Sequence, residues 1–145
     1  MAESPALQYV VESLRSRGAS LFAPMIGADD VDLAVRGTDG QYVEIQVMPA
    51  EPTAPSQFRA GRSRPKAHVF FVCVVSQDGA PSEAWVLPTS IFERFAGGAP
   101  LDDSRVLDLD SSDGEPLRER LSVYRERWAL IADYAKYRST LSDPI

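Results

Sequence analysis

The chain is poor in the residues that build staples and metal centres: one cysteine, one histidine and two lysines among 145 residues. A lone Cys73 forms no intrachain disulfide and reads as a buried small hydrophobe within the apolar run His68–Val75. With His68 as the single imidazole, zinc sites built on His/Cys pairs are excluded in practice. No apolar run approaches the ~20 residues a membrane helix requires. The start, Met-Ala-Glu-Ser-Pro, shows neither the basic nor the apolar region of a secretory leader. There is no G-x-x-x-x-G-K-[ST] or G-x-G-x-x-G run to cradle phosphate, and no G-x-S-x-G elbow for a serine nucleophile. These absences leave a soluble, cytoplasmic protein, expected as a single domain over residues 1–145.

What is there is ordinary in bulk and uneven in charge. Hydrophobic residues at 44% and charged residues at 25% are globular values. A net charge of −6 speaks against broad, nonspecific binding to nucleic acid. Yet no acidic residue lies between Pro52 and Gln77, where Arg59, Arg62, Arg64 and Lys66 supply +4 and leave −10 for the rest. That segment is either a local acceptor for a polyanion or a loop kept soluble by its arginines.

Ser4-Pro5 is a helix-start signal, and Leu7, Val10, Val11 and Leu14 recur at helical spacing up to Gly18, which predicts a helix over Pro5–Arg17. Ala19–Met25 reads as a strand. Asp29 to Met48 then predicts a hairpin of Val31–Arg36 and Gln41–Met48 around the loop Thr38-Asp39-Gly40, with Gly40 in the left-handed conformation. Val31, Leu33 and Val35, with Val43, Ile45 and Val47, make one apolar face. Asp32, Glu44, Gln46 and Met48 fall on the other, with Asp32 opposite Gln46 at a Cβ separation of about 5 Å. Oxygens gathered this way suit a hard cation such as Mg²⁺, although they also suit the wet face of any half-exposed sheet.

Four prolines between Pro49 and Pro65 leave room only for a short helical piece near Ser56–Ala60. The unbroken run Val69–Val75 predicts a strand buried on both faces and parallel to a neighbour. A turn at Asp78-Gly79, a strand over Ala84–Leu87, a short helix from Thr89 or Ser90 to Phe95 and an edge strand over Arg105–Leu109 follow. Ser111 or Ser112 is expected to cap a long final helix, with Leu117, Leu121, Tyr124, Trp128, Ile131 and Ala135 as its core stripe.

This order (helix, three-stranded antiparallel meander, crossover, central strand, C-terminal helix) resembles the α/β core of the restriction-endonuclease-like superfamily, the PD-(D/E)XK nucleases. The segment Y-V-E-I-Q-V-M over Tyr42–Met48 is similar to the I-Q-V-K strand of nuclease-like groups in it. The resemblance covers residues 5 to 75 and implies Asp32 and Glu44 as Mg²⁺ ligands, with Gln46 in place of the lysine that orients the attacking water. In the alternative register Gln46 is the ligand and Met48 replaces the lysine. Neither register supplies that lysine; Lys66 would have to reach in from the basic segment. The first-helix glutamate of some members has no good match, since Glu12 falls too near the helix end. The resemblance therefore implies a nuclease-like protein with a degraded metal site, weakly active or inactive, that binds nucleic acid through Arg59, Arg62, Arg64 and Lys66 or serves in regulation. An active Mg²⁺-dependent nuclease using Asp32, Glu44 and Gln46, and a protein-interaction module favoured by the pI of about 4.7, stand beside it.

Overall fold

The computed structural model describes residues 5–22, 33–38, 40, 42–50, 56–61, 68–78, 80–98, 104–110, 112–113 and 115–134. Helix α1 spans Pro5–Arg15 and buries Ala6, Val10, Val11 and Leu14, one stripe at spacings of three and four. Its end is set by Gly18, whose φ of 86° allows the chain to reverse. The Ala19 N–H donates to the Leu14 carbonyl (3.2 Å) and the Gly18 N–H to that of Arg15 (3.0 Å), the paired bonds of a Schellman end. Ser4, the expected cap, lies outside the described residues.

Strands β1 (Ser20–Phe22), β2 (Leu33–Arg36) and β3 (Tyr42–Pro49) form the antiparallel meander. The pairs Leu33↔Ile45, Ala34↔Glu44, Val35↔Val43 and Arg36↔Tyr42 have the even parity that the three-residue loop requires. Gly40 has a φ of 83°, as the bulged turn demands, and its N–H donates to the Gly37 carbonyl at 3.1 Å.

After β4 (Gln57–Gly61), strand β5 (Val69–Gln77) returns parallel to β3, and β6 (Ala80–Pro88) pairs antiparallel with β5. The five-stranded sheet runs β1-β2-β3-β5-β6. Helix α2 (Thr89–Phe95), β7 (Gly97–Gly98) and β8 (Ser104–Asp108) follow, and a second sheet runs β4-β8-β7. The chain ends its described course in β9 (Ser112–Asp113), β10 (Glu115–Pro116), α3 (Leu117–Arg120), a 3₁₀ turn at Ser122–Tyr124 and α4 (Ala129–Ala132).

Alternation along the large sheet feeds two cores. One face presents Val35, Val43, Ile45, Phe70, Val72, Val74 and Val86 to α1, Trp128 and Ile131. The other presents Met48, Phe71, Cys73, Trp85 and Leu87 to Phe58 of β4, Leu107 of β8 and Ile91 and Phe92 of α2. Strand β5 is thus buried on both faces, which its unbroken apolar run requires.

Three expectations are corrected. The segment at Ser56–Ala60 is a strand, because Phe58 buries against its partner Leu107 while Arg59 points outward. Strand β8 is the middle of its sheet rather than an edge, with β4 and β7 on either side. The long last helix is broken, because its stripe serves both cores: Leu117 and Leu121 enter the second, Trp128 and Ile131 the first. Between them the chain passes the β6 edge, where Arg125 is extended and bridged to Trp85 and Glu126 has a φ of 52°. Thr89 also begins α2 without a side-chain cap, following Pro88.

Cys73 is fully buried, and burial pushes its thiol well above the ordinary range. A water-soluble disulfide reagent is therefore expected to leave it unmodified in the native protein and to label it stoichiometrically in denaturant. Rapid labelling at native conditions, followed at 412 nm or by intact mass (~ one adduct per chain), would contradict this burial.

Candidate functional site

The polar face predicted on the hairpin is the part of the second sheet face that the cover leaves open. Exposure falls along the even positions of β3: Tyr42 is exposed, Glu44 and Gln46 are half-buried, and Met48 is 3% exposed. The cause is β4, whose Phe58 lies over the Met48 end in the same core cluster. On β2 the same face carries Ala34, opposite Glu44, and Arg36, opposite Tyr42. Met48 is consequently a packing residue, and the accessible pair on β3 is Glu44 and Gln46.

His68 joins this face. It precedes β5, whose parallel register sets Val69 beside Glu44. The His68 carbonyl accepts the Glu44 N–H at 2.9 Å, and its Nε2 lies 3.8 Å from Glu44 Oε2, with both side chains about half exposed. The sequence treats His68 only as the head of a buried strand; the parallel register that delivers it to Glu44 is a long-range feature without a local signal.

Asp32, Arg62, Arg64 and Lys66 lie outside the described residues, so one member of the predicted carboxylate pair and most of the basic segment fall there. Arg59 is exposed on β4, on the side of that strand away from Phe58. Glu12 is exposed on α1, which packs on the opposite face of the sheet from Glu44. Among the described residues no three His, Cys, Asp or Glu side chains gather closely enough to hold a metal ion. The oxygens of Glu44 and Gln46 are hard donors of the kind Mg²⁺ accepts, and one or two carboxylates suffice for it alongside water.

A second charged group lies at the β6 edge, around a cleft of about 410 Å³ lined by Glu83, Trp85, Arg118, Glu119, Ser122 and Arg125. Arg118 Nη1 pairs with Glu83 Oε1 at 3.2 Å, its Nη2 donates to Ser56 Oγ at 3.1 Å, and Arg125 Nε pairs with Glu83 Oε2. Because Glu83 and Asp110 neutralise these guanidinium groups, the cleft is a structural ion-pair network tying α3 and the 3₁₀ turn to β6.

Among the described residues no helix is long and apolar enough to cross a membrane. No protein-family model matches the chain, and no curated protein does. Among solved structures, it is similar to a bacterial homing endonuclease at 18% identity, with 94% of each chain covered and a TM-score of 0.59. At that identity the likeness is one of fold: this chain has a mixed α/β architecture with a five-stranded sheet and few helices, similar to that of the homing endonuclease.

Proposed function

We propose that the chain is a nuclease-like domain of the PD-(D/E)XK, restriction-endonuclease-like kind with a degraded metal site, acting inside the cell in nucleic-acid binding or regulation. The observation that carries this reading is the contrast on β3, where Glu44 and Gln46 face solvent and Met48 is sealed under Phe58. It favours the register in which Asp32 and Glu44 are the Mg²⁺ ligands and Gln46 stands in the lysine position. When bound, the metal would hold phosphate oxygens and lower the pKa of a water. Gln46 can orient that water through its amide but brings no positive charge to stabilise hydroxide. Binding of nucleic acid is assigned to Arg59, Arg62, Arg64 and Lys66, and it is salt-sensitive because each phosphate contact releases counterions.

The expected result with supercoiled plasmid or single-stranded DNA is at most trace cleavage in Mg²⁺ or Mn²⁺. Weak DNA binding at low salt should disappear when all four basic residues become serine, with the melting temperature nearly unchanged. The second reading, an active nuclease, is favoured by the His68 imidazole beside Glu44, which brings a ring nitrogen to the face that lacks the lysine. Robust turnover abolished by Asp32→Ala and Glu44→Ala, and strongly reduced by His68→Ala, would establish it in place of the first.

A further inference from the structure

The open sheet face carries a feature that the metal site does not use. Among the described residues three large hydrophobic side chains stand out as exposed, Phe22 (46%), Tyr42 (59%) and Val123, and the first two touch. Phe22 on β1 pairs with Ala34, and Tyr42 on β3 pairs with Arg36, so the rings meet diagonally across β2 over the small Ala34 side chain. Their centroids are 6.0 Å apart with planes tilted by 44°. The register places them on the same face as Glu44 and Gln46, directly beside the candidate metal ligands.

We infer that Phe22 and Tyr42 form a stacking platform for an unpaired base of a nucleic-acid strand, with Arg36 receiving the adjoining phosphate. The inference rests on the nucleic-acid reading above and names the strand state that the face selects. Size limits the occupant: two half-exposed rings rimmed by Arg36, Glu44 and Gln46 match one base, whereas a protein partner needs roughly 800 Å² per side. Charge orders the strand along the face. Arg36 is exposed and pairs with no carboxylate among the described residues, while Glu44 lies one cross-strand row further along, next to His68. A phosphate is attracted to the Arg36 end and repelled from the Glu44 end. The π faces accept any base, so the platform distinguishes unpaired from paired strands rather than one sequence from another.

The test uses the full chain and an oligonucleotide carrying 2-aminopurine, single-stranded or annealed into a duplex, at low salt. Binding is followed by anisotropy and stacking by quenching of the fluorescent base. The single strand should bind about 10-fold or more tightly than the duplex, with quenching. Phe22→Leu with Tyr42→Leu should weaken binding about 10- to 100-fold and remove the quench. Tyr42→Trp should preserve both, and melting temperatures should be unchanged because both rings are exposed. Binding that is unaffected in the double leucine variant and shows no quench would overturn the platform while leaving the nucleic-acid reading in place. Failure to bind either form would remove both. Concentration-dependent self-association abolished by Tyr42→Ser would make the pair a contact between two copies and overturn the platform as well.

Discussion

Replacing Glu126 with alanine should cost about 3–5 kcal/mol of folding stability, the sum of several partly buried, charge-assisted hydrogen bonds left unmade. Few half-buried side chains here do more. Its Oε2 accepts the Tyr9 hydroxyl at 3.0 Å and the Ala84 backbone N–H, and its Oε1 accepts Trp128 Nε1 at 3.1 Å. Its own N–H donates to the Ala84 carbonyl at 2.8 Å. The carboxylate therefore joins α1, the β6 edge and the segment leading into α4, and Trp128 is buried to 1% exposure. Against a total stability of roughly 5–15 kcal/mol, loss of that junction brings the fold near its threshold. The backbone provides a control, since Glu126 has a φ of 52° where glycine is favoured by about 1 kcal/mol. Glu126→Gly should thus be destabilised too, by about 1 kcal/mol less than Glu126→Ala. A Glu126→Gly protein more stable than wild type in urea unfolding would show that backbone strain outweighs the hydrogen bonds. Tyr9 gives an independent readout. Its pKa is pushed up to about 12, first by burial and then by its bond to Glu126, so Glu126→Gln should lower it toward 10.0 in an ultraviolet titration. The sign follows from the shift: stability from protonated Tyr9 is present below pH 10 and is lost as pH rises toward about 12.

The same junction explains what was not legible in the sequence. From Leu117 to Ile131 the residues have good helix propensity and apolar spacing that a continuous helix would satisfy. No local signal states that Leu117 and Trp128 belong to cores on opposite faces of one sheet, or that Glu126 is needed at the Ala84 edge. The tertiary hydrogen bonds override the propensity. Strand β4 was hidden for a related reason: Gln57–Gly61 is short, follows prolines, and becomes a strand only because β8 pairs with it residue for residue. Legible were the elements whose period alone decides them: α1 with its three-and-four spacing, the hairpin with its glycine turn, and β5 with its unbroken apolar run. The polar face at Glu44 and Gln46 was legible because strand alternation fixes it. Its boundary was not, since that depends on where β4 comes to rest over Met48.

That boundary makes two lysine substitutions, two residues apart, behave oppositely. Met48→Lys should lose about 3–5 kcal/mol, on the order of 10 °C in melting temperature, because it buries an unpaired ammonium among apolar groups. Its neighbours in that cluster include Phe58, Phe71 and Cys73, none of which offers a charge partner. Met48→Leu, which conserves volume, should cost less than about 1.5 kcal/mol and so separate the charge effect from packing. Gln46→Lys places the same ammonium at a half-buried position on the open face, where it can reach solvent past Glu44, and should melt close to wild type. Under the nuclease-like reading it also restores a cation beside the proposed metal ligands, so Gln46→Lys should gain Mn²⁺-dependent nicking of supercoiled DNA that Glu44→Ala removes again. The comparison has a clear reversal. If Met48→Lys combined with Gln46→Glu folds at the wild-type midpoint and nicks DNA while Gln46→Lys does not, the register is shifted by two and Met48 is the degraded catalytic position. If neither lysine yields cleavage and Gln46→Lys is as stable as wild type, the face is a polar sheet surface with no metal chemistry to restore.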